Sequence, residues 1–245
     1  FVAKATDHHT LGLMINGNMT IAKLLNPQLP YDPLQDLKPV SLIGTSPLVL
    51  VAPAHAAGAT ARDVLANARN AGNTWNYGTP GVGTVGHLGM ELLKSRAGVA
   101  PVHVPYSGYP QVATAMVSGD LQLALLPPAL AMAQIRAGKL RAIGMTASVR
   151  STLVPDIPSL SEAGVRDFNL EIWNAVAAPR SLPPAVAARL SVLFSEIARS
   201  PEVRAKLFQQ GWQVTGTTAE GLANRIQADA RVLGGVITSQ GIKAE

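Results

Sequence analysis

Between Leu48 and Met145, short runs made almost wholly of apolar residues alternate with longer stretches in which apolar positions recur every third or fourth residue. The first pattern suits strands covered on both faces, the second helices with one buried face. Together they predict strands at 10–15, 40–43, 48–51, 75–77, 102–104, 121–126, 140–146 and 170–178. They predict helices over 60–72, 84–96, 110–118, 128–137, 184–199, 201–210 and 218–239, and a short one from Ser159 stopped by Gly164. Local punctuation agrees. Thr60-Ala-Arg-Asp63 and Ser159-Leu-Ser-Glu162 have capping-box spacing, Pro110 sits in a first helical turn, and Gly138 follows a last one. Thr217 reads as the cap of the final helix, whose Leu222, Ile226, Leu233 and Ile237 share one face. Asn16-Gly17-Asn18 reads as a polar turn, and 27–33 as a loop punctuated by proline.

Strand–helix alternation with short loops implies right-handed crossovers and a mostly parallel sheet with helices on both faces. Two longer strands, 47–53 and 170–178, flank the alternating block. They predict a chain that crosses into a second lobe and back, with the crossings as a hinge. The expected lobes are 1–50 with 174–245, and 51–173.

Composition narrows the function classes. The net charge is +5, but the basic residues are scattered, and three Trp, four Tyr and four Phe offer few rings for base stacking. Nucleic-acid binding wants a basic stripe with interleaved aromatics, so no nucleic-acid partner is expected. The absence of cysteine excludes disulfides, thiolate metal sites and a cysteine nucleophile. No apolar run approaches the roughly 20 residues of a membrane span. The chain starts at Phe1, which reads as a processed or trimmed start.

The chemistry-bearing stretch is Gly81-Val-Gly83-Thr-Val-Gly86, a literal G-x-G-x-x-G between a short strand and a helix. A dinucleotide fold also wants an acidic residue about 20 positions on, at the end of the next strand. Here that strand ends Val102-His-Val-Pro-Tyr106, without an acid. One alternative is a tight turn that brings helix and strand close. Another is a site for a small anion, because a helix start carries unpaired N–H groups and partial positive charge. Thr79 and Thr84 add hydroxyls at the same rim. No paired carboxylates, G-x-S-x-G, H-E-x-x-H or Walker pattern occurs, and His8-His9 is not metal-ligand spacing. No enzyme activity, cofactor or metal is therefore expected.

Several segments in order carry a family resemblance: LNPQLPYDPLQDLKPVSLI from Leu25, YGTPGVGTVGHLGMELLKSRAGV from Tyr77, VHVPYSGYPQ from Val102, AGKLRAIGMTASVRS from Ala137, and PDIPSLSEAGV from Pro155. The chain resembles the substrate-binding proteins of tripartite tricarboxylate transporters, the TctC-like or Bordetella uptake gene family. The resemblance runs from about Thr10 to the C-terminus. It implies a type II periplasmic-binding-protein fold, two α/β lobes with a cleft between them. It implies capture of a small carboxylate by amides, hydroxyls and water, delivery to membrane permease subunits, and a periplasmic location. The chain is expected to act as a monomer.

The family begins with a β-α unit ahead of the segment matched at 7–13, so the first lobe is expected to lack it. Leu126-Pro127 stands where members often carry a polar pair, which suggests a ligand tail less polar than that of citrate or malate. The candidate ligand residues are Gly78, Thr79, Gly81, Gly83 and Thr84, whose alternative is turn plus N-cap; Asn16, Gly17 and Asn18, whose alternative is a plain turn; and Tyr106 with Ser107, whose alternative is a self-satisfied tyrosine. Trp173 is expected to pack the domain junction, and His87 to pack its helix.

Overall fold

The computed structural model describes residues 1–152 and 154–243. Its strands are β1 (Gly12–Ile15), β2 (Leu37–Pro47), β3 (Val49–Pro53), β4 (Asn76–Thr79), β5 (Val102–Pro105), β6 (Leu123–Leu126), β7 (Leu140–Met145), β8 (Glu171–Pro179) and β9 (Gln213–Val214). Its α-helices are α1 (Ala22–Leu25), α2 (Pro33–Asp36), α3 (Ala61–Ala71), α4 (Val85–Ala97), α5 (Tyr109–Ser118), α6 (Pro128–Arg136), α7 (Pro184–Arg199), α8 (Pro201–Gln209) and α9 (Ala219–Gln240). The chain divides into two compact units, Phe1–Thr45 with the chain from Ile172 onward, and Ser46–Glu171.

The first unit is built on a sheet of order β1-β8-β2-β9, with β1 antiparallel to β8 and β2 antiparallel to β9. Strand alternation separates its two cores. Trp173, Ala175 and Ala177 of β8 join Met14, Leu42, Leu222 and Ile226 on one face, while Val176 and Ala178 join Val40, Leu182 and Ala187 on the other. The indole N–H of Trp173 donates to Asp229 on α9 at 2.6 Å, and Asp229 pairs with Arg225 at 2.8 Å. The expectation that Trp173 packs a domain junction is corrected: its ring and its donor are both satisfied inside this unit. The final helix is capped by Thr218, which accepts from the Gly221 N–H, rather than by Thr217, which accepts from the Leu42 N–H.

The polar turn at 16–18 is also corrected. Asn16 is the N-cap position of a wide helical turn, Gly17–Ile21, that continues into α1. The Asn18 side chain accepts from the Ile15 N–H at 2.9 Å, and its carbonyl accepts from the Tyr31 hydroxyl at 2.9 Å. The helical stretch has too few turns to establish a 3.6-residue apolar period, so only its polar start was visible.

The second unit is a five-stranded sheet of order β5-β4-β6-β3-β7. β4 lies parallel to β5 and β6, while β3 runs antiparallel to its neighbours β6 and β7. Four strands thus share one direction and β3 opposes them. The apolar pattern is blind to that reversal, because a strand buried on both faces reads the same either way. Helix signals were local and legible. The Thr60–Asp63 capping box forms in both directions, and Pro110 occupies the first turn of α5. The Ser159–Glu162 box forms too, but it closes a single turn ended by Gly164 at φ +99°, not a helix.

Thr146 fixes the two ends of this unit to each other. Its hydroxyl accepts from the Leu48 N–H at 2.8 Å and donates to the Leu170 carbonyl at 2.5 Å. Its backbone repeats both links, through its N–H to Leu48 O and its carbonyl from Leu170 N–H, each at 2.9 Å. The residue is fully buried. The segments just inside the two chain crossings are therefore held side by side through one residue.

Candidate functional site

β4 delivers the chain to α4 through the loop 80–84, and the glycines there do different jobs. Gly78 lies inside the sheet, where a Cβ would sit 2.4 Å from Leu121 and 3.1 Å from Val112. It is a close-packing glycine with its side-chain space already filled. Gly81 and Gly83 take φ of +120° and +75°, values that L side chains rarely adopt. Gly86 falls in the first turn of α4, where a Cβ would meet the Tyr109 hydroxyl at 3.0 Å and Pro80 at 3.5 Å.

The loop satisfies much of its own polarity. The Gly81 N–H donates to Thr79 Oγ1 at 3.2 Å, the Gly83 N–H to His87 Nδ1 at 3.1 Å, and the Thr84 N–H to the Gly81 carbonyl at 3.4 Å. The Thr84 hydroxyl caps α4 by accepting from the His87 N–H and donates to Gly81 O at 2.8 Å. Thr79 Oγ1 lies 2.6 Å from His103 Nε2. The expectation that the amides of Gly81, Gly83 and Thr84 stand open to an anion is therefore corrected; neighbouring protein atoms engage each of them. The Val85 and Gly86 N–H groups, the first two of the helix, have no hydrogen-bond partner among the described residues. Tyr109, in the first turn of α5, brings its hydroxyl to 3.0 Å from the Cβ position of Gly86. The sequence offered the unpaired N–H groups of this helix start only in general terms and did not single out Val85, Gly86 or Tyr109; the available signals were the third glycine of the motif and a tyrosine just before Pro110.

Behind the loop lies a polar aromatic stack. The rings of His87 and His103 are 4.3 Å apart, and Tyr77 stacks on His103 at 4.9 Å. The Tyr77 hydroxyl donates to Glu91 at 2.5 Å, and Lys94 pairs with the same carboxylate oxygen at 2.8 Å. Burial, then the hydrogen bond and charge of Glu91, push Tyr77 far above its usual pKa. Burial, followed by the His87 ring, lowers His103 to about 4. Burial also raises Tyr109, so its hydroxyl stays a donor at neutral pH. Among the described residues no group of three or more His, Asp or Glu is placed to hold a metal.

The remaining candidates separate. Tyr106 leans its ring toward Gly78 and donates its N–H to the Thr79 carbonyl at 2.9 Å, while Ser107 is exposed beside it. Asn16, Gly17 and Asn18 belong to the first unit. Leu126 is fully buried among Val49, Val51, Ala124 and Met145, so it forms core and not a pocket lip. Pro127, the other half of the pair, is half-buried.

Comparison with known proteins follows the same lines. The family model described as "Tripartite tricarboxylate transporter family receptor" matches residues 1–242. A UPF0065 protein of Bordetella pertussis (strain Tohama I) is 30% identical over 245 residues, which is 100% of this chain and 76% of the relative. Two solved structures from Rhodopseudomonas palustris are similar in fold. Rpa4515 with adipate has a TM-score of 0.89 and 26% identity, over 99% of this chain and 81% of that one. MatC with bound malate has a TM-score of 0.83 and 29% identity, over 96% and 82%.

Proposed function

The chain belongs to the tripartite tricarboxylate transporter receptor family, and from that premise we propose that it captures a small carboxylate at the start of α4 and delivers it to membrane permease subunits. Its fold is that of the periplasmic binding proteins of this family, a mixed α/β chain with two sheets. Members of the family are solute-binding proteins rather than enzymes, and the receptor is proposed to work in the periplasm.

The observation that carries the reading is the pair of N–H groups at Val85 and Gly86, unpartnered among the described residues, with the Tyr109 hydroxyl 3.0 Å from where a Gly86 side chain would begin. Two adjacent amides at a helix start present donors and partial positive charge to an anion. A carboxylate has two oxygens, enough to accept from both amides and from a phenol. The glycine at 86 matters because any side chain there would enter the space between Tyr109 and the helix. Relatives in fold carry adipate and malate, so dicarboxylates of that size are the first candidates.

The test is calorimetric titration of the wild type and of Gly86→Val with adipate, malate and citrate. The reading expects saturable binding of at least one acid, weakened about tenfold or more by the substitution, which corresponds to ~1.4 kcal/mol. Equal affinity in both proteins would overturn the site; no binding of any carboxylate would overturn the function.

A further inference from the structure

Gly83 is buried in a left-handed backbone conformation, and its N–H reaches one acceptor, Nδ1 of His87 at 3.1 Å. The backbone N–H of His87 is in turn capped by the Thr84 hydroxyl at 3.3 Å. The second imidazole acts in parallel at one remove: His103 Nε2 meets Thr79 Oγ1, which accepts from the Gly81 N–H. Two stacked rings thus hold both glycines of the loop that sets the first turn of α4. An imidazole accepts at Nδ1 only when that nitrogen is unprotonated, which fixes His87 as the Nε2–H tautomer.

We propose that His87 is a positioning residue: its Nδ1 holds the 81–84 loop in shape, and protonation of His87 releases that loop in acid. Resting on the carboxylate reading above, release also weakens the grip of the α4 start on its ligand. Among the described residues the Gly83 N–H has no acceptor other than His87 Nδ1. From α4 itself come Glu91 and Lys94, already joined to each other and to Tyr77. From β4 come Tyr77 and Thr79, from β5 His103, and from α5 Tyr109 near Gly86. A proton on His87 would turn an acceptor toward the amide into a donor, and would put a cation 4.3 Å from the His103 ring.

The experiment is NMR of the ¹⁵N-labelled ligand-free chain across the His87 titration. The wild type should show the Nε2–H tautomer at neutral pH and a Gly83 amide that shifts in step with His87. Two variants separate hydrogen bonding from packing. His87→Asn puts a non-titrating oxygen near the Nδ1 position and should leave the Gly83 amide protected and flat with pH. His87→Phe keeps the ring without the acceptor and should speed Gly83 exchange ~10-fold or more, as loss of one hydrogen bond implies. A Gly83 amide that ignores the His87 titration, or a neutral Nδ1–H tautomer, would overturn the proposal.

Calorimetry with adipate and malate, at neutral pH and below the His87 midpoint, completes it. Wild-type affinity should fall ~10-fold more than that of His87→Asn, a difference that cancels protonation of the acids themselves. Equal falls in the two proteins would overturn the link from His87 to binding. A responsive Gly83 amide with no acid bound at any pH would support the role of His87 and overturn the carboxylate reading instead.

Discussion

At the scale of single residues, the structure assigns jobs that residue type alone left open. The glycines of one motif divide into a backbone that must turn left-handed at Gly81 and Gly83 and a helix start that must stay bare at Gly86. Gly78, one step earlier, is packing. The sequence showed a donor-rich loop but not which donors were already engaged, because His87 and Thr79 reach back across a turn. Thr146 was not legible as special at all: it closes an apolar strand and looks like any β-branched residue. Yet its hydroxyl joins the Leu48 N–H to the Leu170 carbonyl in a fully buried setting. Thr146→Val keeps the shape and leaves both groups unsatisfied, which should cost about 2 kcal/mol. Urea unfolding checks it: a lower midpoint with an unchanged slope is expected.

At the scale of elements, short-range signals read well and long-range ones did not. Capping residues and first-turn prolines placed α3, α4, α5 and α7 within a residue or two. The helical stretch from Gly17 was hidden, because nine residues interrupted by a wide turn carry no clear period. The packing of β4, β5 and α4 also has an acid signature. His103 titrates at about 4 in the fold against 6.5 ordinarily, held down first by burial and then by His87. Between those values the unfolded chain binds the proton and the folded chain does not. Stability should therefore fall as pH drops from 6.5 to about 4 and stop falling from this source below that. Asp63 and Glu162, lowered chiefly by the backbone N–H groups of Thr60 and Ser159, act in a more acid range. Thermal unfolding of the wild type and His103→Gln at stepped pH checks the window; parallel curves for the two proteins would contradict it.

At the scale of the whole molecule, alternation announced an α/β chain, and the ordered segments from Leu25 to Val165 announced the family that the comparison then matched over residues 1–242. Strand direction was the part that stayed hidden: β3 runs against its neighbours in the second sheet, and burial on both faces erases the sign of direction. The central claim is local within that architecture: a carboxylate is held by the first amides of α4. The most direct measurement is a ¹⁵N–¹H titration of the labelled protein with adipate and with malate. The account predicts saturable downfield shifts centred on the Val85 and Gly86 amides. Saturable binding that leaves those two amides unmoved would contradict it.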